Sequence, residues 1–193
     1  MARLREFDKE KALDAAMQLF WEKGYAATSL SDLTAKMEIQ RPSLYAAFGD
    51  KEGLFEAALR RYTNIHATSI RTKLQKERSV KEAIRTFFEN MVEEEYKRES
   101  NKGCFCINTM VELSPHNEKF EVLTREHQMY LSIIFQELIA KGIQSGELQS
   151  DVNAKALAQT LVTSLIGLTV LMKSRPERSV VDNTVCIILS LLK

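Results

Sequence analysis

The residues best suited to chemistry in this chain are gathered in one short stretch, Thr28 to Lys51. Gln40, Arg41, Pro42 and Ser43 open a short apolar-periodic segment, and Tyr45 follows within the next turn. Amide, guanidinium and hydroxyl groups placed this way suit hydrogen bonding to base edges, and Arg41 can fork onto a guanine. Thr28 and Ser29 upstream and Lys51 downstream supply the hydroxyls, backbone amides and ammonium that grip phosphates and set register. Lys51 stands at a helix start, where a cation opposes the helix dipole, so a phosphate partner gives that placement a reason. The plainer reading stands beside this one. Short paired helices occur without DNA, and an exposed arginine or lysine is commonly just solvated.

These side chains need elements to hold them, and the spacing predicts three short helices. From Asp8 to Lys23 the apolar positions Ala12, Leu13, Ala16, Met17, Phe20 and Trp21 form one helical face, stopped by Gly24. Ser29-Leu30-Ser31-Asp32 has capping-box spacing and opens a second helix running to about Met37. Glu38-Ile39-Gln40 makes the turn, with Ile39 as its apolar peg. A third helix starts at Arg41-Pro42, where proline in the first turn loses no helical hydrogen bond, and buries Leu44 and Phe48. A helix-turn-helix of this kind lays its second helix in the major groove. Gly49 and the Asp50 cap then begin a longer helix to about Lys73. Further helices are expected over 79–98, 104–113, 117–143, 154–173 and 177–192, with no strand. The expected fold is all-α, a three-helix head over 1–49 and a helical body over 50–193, joined by the helix from 50.

Composition sets the outer bounds. A chain of 193 residues, 45% hydrophobic and 27% charged, can bury a real core. The net charge of +1 announces no global basic field, and the first 75 residues carry only a slight cationic excess. Seven glycines and three prolines suit helices better than a β-sandwich. No leader pattern opens the chain. The longest apolar run, 161–172, is too short for a membrane span of about 20 residues. With three cysteines and no disulfide framework, the expectation is a cytoplasmic protein with reduced thiols and no membrane partner. There is no nucleophile–base–orienter set, no Gly-rich phosphate loop and no paired-histidine zinc motif, so no enzymatic activity, cofactor or metal is expected.

Gly24-Tyr25, Thr28-Ser29, Asp32-Leu33, Ile39, Ser43-Leu44-Tyr45, Phe48, Lys51-Glu52 and Leu54-Phe55 together resemble the N-terminal signature of the TetR/AcrR family of bacterial transcriptional regulators. The likeness covers about fifty residues, with capping, turn and core positions in register; beyond it only length and helix pattern agree. The resemblance implies a homodimer whose two heads bind a near-palindromic double-stranded operator, and a body that takes an unknown small molecule and releases the DNA. Three departures stand out. Met37-Glu38 replace the usual Ala-Gly in the turn, Gln40-Arg41-Pro42 replace the commoner Ser-Lys-Gly, and Ala46-Ala47 replace an aromatic-plus-His pair. They imply an altered base preference.

In the body, the last two helices carry more apolar residues than one face needs, which makes Leu161, Leu165, Leu168, Val181, Val185 and Ile188 the expected dimer interface. The alternative is that these residues close the protomer's own core. For the ligand, Phe87, Met91 and Tyr130 suit an apolar pocket or a plain core equally well. The helix over 104–113 commonly lines the inducer cavity in the family, so Cys104, Asn108 and Glu112 join the candidates. Cys104 and Cys106, with His116 or His127, also allow a thiol or metal sensor, although free cysteine is as readily a small buried apolar group. A further alternative is a helical protein-interaction module that does not bind DNA.

Overall fold

The computed structural model describes residues 7–99 and 102–193. Among them the chain forms nine helices and no strand. They are α1 (Lys9–Lys23), α2 (Leu30–Met37), α3 (Arg41–Phe48), α4 (Lys51–Leu74), α5 (Val80–Lys97), α6 (Phe105–Glu112), α7 (Glu118–Gln144), α8 (Ala154–Met172) and α9 (Arg178–Ser190). The starts follow local capping chemistry. Asp8 accepts the N–H groups of Glu10 and Lys11, Ser79 that of Glu82, and Asn153 that of Ala156, each satisfying donors that a helix leaves unpaired. Pro42 lies in the first turn of α3, as its fixed φ and missing N–H allow.

The packing divides the helices differently from the head and body read along the chain. One compact unit comprises the described part of Met1–Ile65 together with Cys104–Thr124; the other comprises His66–Gly103 and Arg125–Lys193, as far as they are described. Thus α6 and the first turns of α7 belong with the N-terminal head, and α4 contributes to both units.

The first unit is built on an aromatic cluster centred on Phe55 of α4. Its ring meets Phe20 of α1 at 4.8 Å, Tyr25 at 5.0 Å, Phe105 of α6 at 5.2 Å and Phe120 of α7 at 5.2 Å, all edge to face. Such geometry sets the electropositive ring edge against the electronegative face, worth about 0.5–1.5 kcal/mol per pair beyond burial. Leu33, Leu44, Leu54 and Leu59 fill in around it with no exposed surface. At the rim, Arg61 of α4 hydrogen-bonds Glu10 and Asp14 of α1. These groups remain partly solvated, so the contacts orient the helices more than they stabilise them.

The second unit packs α5, α8 and α9 with the later turns of α4 and α7 around Ile84, Phe88, Phe135, Leu161 and Val181. Glu147, in the loop after α7, closes the start of α5 by accepting the N–H groups of Val80 and Lys81, each at 2.8 Å. His66 of α4 places Nδ1 3.0 Å from Nε2 of His127 on α7. Burial pushes the His66 imidazole down to about 3 and that of His127 to about 4, so both are neutral at neutral pH.

The expected dimer interface needs correction. Leu161, Leu165, Leu168, Val181, Val185 and Ile188 are all buried in the protomer's own core, at most 7% exposed, so they close that core rather than forming its surface. The apolar surface of these helices lies elsewhere. Val170 and Leu171 of α8, Val180 and Ile187 of α9, and its C-cap residue Leu191 are exposed, with Ile187 at 66%. Thr163, Gly167, Val170 and Leu171 share one face of α8, while Val180, Asn183, Thr184 and Ile187 recur at i, i+3, i+4 and i+7 along α9, and the C-cap Leu191 continues the row. Helix α8 also extends beyond the apolar run read from the sequence. At 19 residues it matches a membrane span in length and apolarity, but Ala158, Leu161, Val162, Leu165, Leu168 and Met172 pack it into the core.

Candidate nucleic-acid interface

Helix α2, a three-residue turn and helix α3 form the candidate interface. Ser29 and Asp32 close the full capping box, each side chain accepting the other's backbone N–H at 3.1 Å. Leu33, Met37, Ile39 and Leu44 are buried between the helices, which fixes how α3 leaves the turn. The turn itself is made without glycine. Glu38 adopts left-handed geometry (φ 57°, ψ 35°), its N–H bonding back to Ala35 O, while the N–H of Ile39 reaches Thr34 O. A side chain in this region crowds its own carbonyl and costs about 1–2 kcal/mol. Glycine escapes that cost but loses more chain entropy on folding, about 0.5–1 kcal/mol. Glu38→Gly is therefore expected to raise the melting temperature by about 1–3 °C and to tighten DNA binding by removing an exposed anion beside the reading helix. Calorimetry and gel shift check both. A lower melting temperature in the variant would show that the Glu38 side chain contributes more than its strain costs.

Helix α3 presents an exposed, largely polar face over its two turns. Gln40, Arg41, Pro42 and Tyr45 are exposed, and Gln40 makes no side-chain capping bond. Arg41 donates from one guanidinium nitrogen to Ser31 Oγ on α2 at 2.8 Å, which steadies its long side chain; the guanidinium carries five N–H donors in all. Tyr45 keeps 46% of its surface in water, so both its ring and its hydroxyl are open to contact. Ser31 is not among the contact residues expected from the sequence: it lies inside the span of the Ser29–Asp32 box, and its contact with Arg41 depends on the angle between two helices.

Other expected contact residues are placed differently. Ser43 is buried beside Leu44 and faces the head's core rather than DNA. Thr28 is 1% exposed, and its hydroxyl donates to Gly24 O at 2.6 Å, so it shapes the α1–α2 loop. Ser29 is exposed; its oxygen accepts from Asp32 N–H, which leaves the hydroxyl hydrogen for a phosphate. The Lys51 ammonium sits 4.3 Å from the centre of the Tyr25 ring, and burial lowers its pKa, opposed by the Glu112 carboxylate. A second cation not anticipated from the sequence, Lys9 of α1, lies 5.1 Å from the Phe48 ring.

The pocket candidates separate between the two units. Cys104 and Glu112 pack with the head: Tyr62 donates its hydroxyl to Cys104 Sγ at 3.4 Å, and Glu112 hydrogen-bonds the backbone of the α1–α2 loop. Both pack within the first unit, because α6 joins the cluster around Phe55. Asn108 is half-buried on the same helix. Phe87 and Met91 belong to the body's core, and exposed Tyr130 stands 5.9 Å from the Arg71 guanidinium. Burial raises the Cys106 thiol, the reverse of what a reactive thiolate requires. His127 is engaged with His66, and among the described residues no group of three or more His, Cys, Asp and Glu is placed to hold a metal.

Comparison with known proteins agrees with this geometry. Residues 12–58 match the family described as "Bacterial regulatory proteins, tetR family", and residues 80–186 match "Tetracyclin repressor-like, C-terminal domain". The chain is 33% identical over 193 residues to the uncharacterized HTH-type transcriptional regulator YezE of Bacillus subtilis, covering 100% of both chains. It is 32% identical over 169 residues to the HTH-type transcriptional repressor ComR of Escherichia coli, covering 87% of this chain and 80% of that one. Among solved structures, a cysteine mutant of the TetR family transcriptional regulator CifR, complexed with a 26 bp double-strand operator DNA, superposes with a TM-score of 0.84 at 33% identity over 100% of both chains.

Proposed function

Because this chain belongs to the TetR family of bacterial regulatory proteins and is a DNA-binding transcriptional regulator, we propose that it acts as a homodimeric repressor released from a near-palindromic operator by a small molecule. The observation that carries the DNA-reading part is the exposed opening of α3, where Gln40, Arg41 and Tyr45 face solvent from a rigidly capped helix-turn-helix. Arg41 reads base edges from that opening, while Ser29 and Lys51 hold the phosphate backbone at its flanks. Repression is the activity of the similar ComR protein, and operator DNA is the partner of the similar CifR protein.

The apolar residues left exposed on α8 and α9 support dimerisation. Five large apolar side chains in water on two packed helices form a surface that a second copy covers at little cost in polar desolvation. A two-fold dimer then sets its heads roughly one DNA turn apart, about 34–36 Å. Helix α4 carries the ligand signal, since it is rooted in the head through Leu54, Phe55, Ala58 and Leu59 and in the body through Ala67, Ile70 and Leu74. A ligand moves that equilibrium only by the difference between its affinities for the two states.

The test is selection of duplexes from a random pool by the purified chain, followed by a salt titration of the winner. The expected result is a two-fold-symmetric duplex whose affinity falls steeply with salt, by a slope of about −0.9 for each phosphate contact. Failure to enrich any duplex, together with capture of a protein partner by salt-insensitive binding, would replace this reading with an interaction module.

A further inference from the structure

We infer that Glu112 is a positioning residue for DNA binding: from the last turn of α6 its carboxylate holds the backbone N–H groups of Tyr25 and Ala26 and so fixes the α1–α2 loop that leads into the reading motif. Tyr25 N–H donates to Oε2 at 3.1 Å and Ala26 N–H to Oε1 at 2.8 Å, contacts that span 87 and 86 residues of sequence. Both oxygens of one ion are therefore used on consecutive amides, and hydrogen bonds to an ionised acceptor are roughly twice as strong as neutral ones.

The surroundings are built for this contact. Gly24 has φ 82° and ψ 172°, a region that is essentially glycine-only. A Cβ there would lie 2.9 Å from Glu112 Oε2, so glycine supplies both the conformation and the room for the carboxylate. The α6 end of the contact is firm. Phe105 and Cys106 are buried, and the Phe105 ring meets Phe55 and Tyr62 edge to face. At the loop end, the Tyr25 ring lies under the Lys51 ammonium, and the carboxylate itself attracts that ammonium. Three residues beyond Ala26, Ser29 caps α2. Glu112 thus sets the start of the helix-turn-helix and one of its flanking cations together. The inference rests on the DNA-binding regulator reading proposed above.

The experiment uses the full chain and a duplex that the wild type selects from a random pool. Glu112→Ala and Glu112→Gln are compared with wild type for affinity to the selected and to an unrelated duplex, for melting temperature, and for amide exchange. Glu112→Ala is expected to weaken binding of the selected duplex about tenfold or more, and Glu112→Gln, which keeps one acceptor oxygen and full side-chain volume, about threefold. Exchange at the Tyr25 and Ala26 amides accelerates in both variants, while amides of Leu33 and Leu44 keep their wild-type rates. A merely structural role would instead lower the melting temperature and speed exchange throughout α1–α3, leaving the ratio of selected to unrelated affinity unchanged; that outcome overturns the proposal. Binding of the selected duplex within about twofold of wild type, or wild-type exchange at Tyr25 and Ala26, overturns it too. A wild type that selects no duplex overturns the regulator reading itself and the proposal with it.

Discussion

Replacing Arg41 with alanine is expected to reduce operator affinity by about 10–100-fold while leaving the melting temperature within about 2 °C of wild type. The side chain is exposed, lies in the first turn of α3 and hydrogen-bonds the exposed Ser31 Oγ, so its removal opens no buried cavity. Its loss is felt in the complex. A guanidinium that forks onto a base contributes about 1–3 kcal/mol of discrimination, whereas one that meets only phosphate weakens all sequences alike and lowers the salt slope by about 1. Repeating the random-pool selection with Arg41→Ala separates these roles, since base reading predicts relaxed preference at one position in each half-site. Tyr45→Ala should weaken binding less, because a half-exposed ring offers contact area and one hydroxyl rather than a planar fork. Undiminished affinity in both variants would remove α3 from the interface.

The second large effect is expected at Ile187 on α9. With 66% of its surface exposed, Ile187→Glu leaves the fold of the protomer intact and places a charge on the surface proposed to meet a second copy. Sedimentation should show a dimer becoming a monomer, and operator affinity should fall by about 100-fold or more as binding of the two half-sites ceases to be linked. The control distinguishes interface from core. Leu165→Ala, at 6% exposure, removes buried volume and should cost about 2–5 kcal/mol of stability. A variant Ile187→Glu that remains dimeric would move the interface off this face. Loss of melting temperature in Ile187→Glu to match Leu165→Ala would show that the isoleucine supports the protomer itself.

Much of the head was legible because its signals are local. The Ser29-Asp32 box and proline in the first turn of α3 each act within four residues, so the sequence that states them also encloses their partners. The absence of glycine at Glu38 was legible for the same reason, and its φ of 57° shows that the turn keeps left-handed geometry despite the missing residue. Ser43 and Thr28 were harder. A hydroxyl is equally at home facing DNA and folded back onto a carbonyl, and only the position of Gly24 O and the packing beside Leu44 separate the two.

What the sequence by itself determined here is the set of helices, their ends and the apolar faces that make a helix-turn-helix possible. Periodicity and capping depend on neighbours within about one turn. The tertiary structure alone decided which of two apolar faces on α8 and α9 is interior, because Leu165 and Val170 are both large and apolar at helical spacing and differ only in what packs over them. It also decided that α6 joins the head, where Phe105 completes the ring cluster around Phe55. Glu112 shows the difference most clearly. An acidic residue at the end of a short helix is indistinguishable in sequence from any solvated glutamate until two backbone amides 86 and 87 residues away are brought within hydrogen-bonding distance.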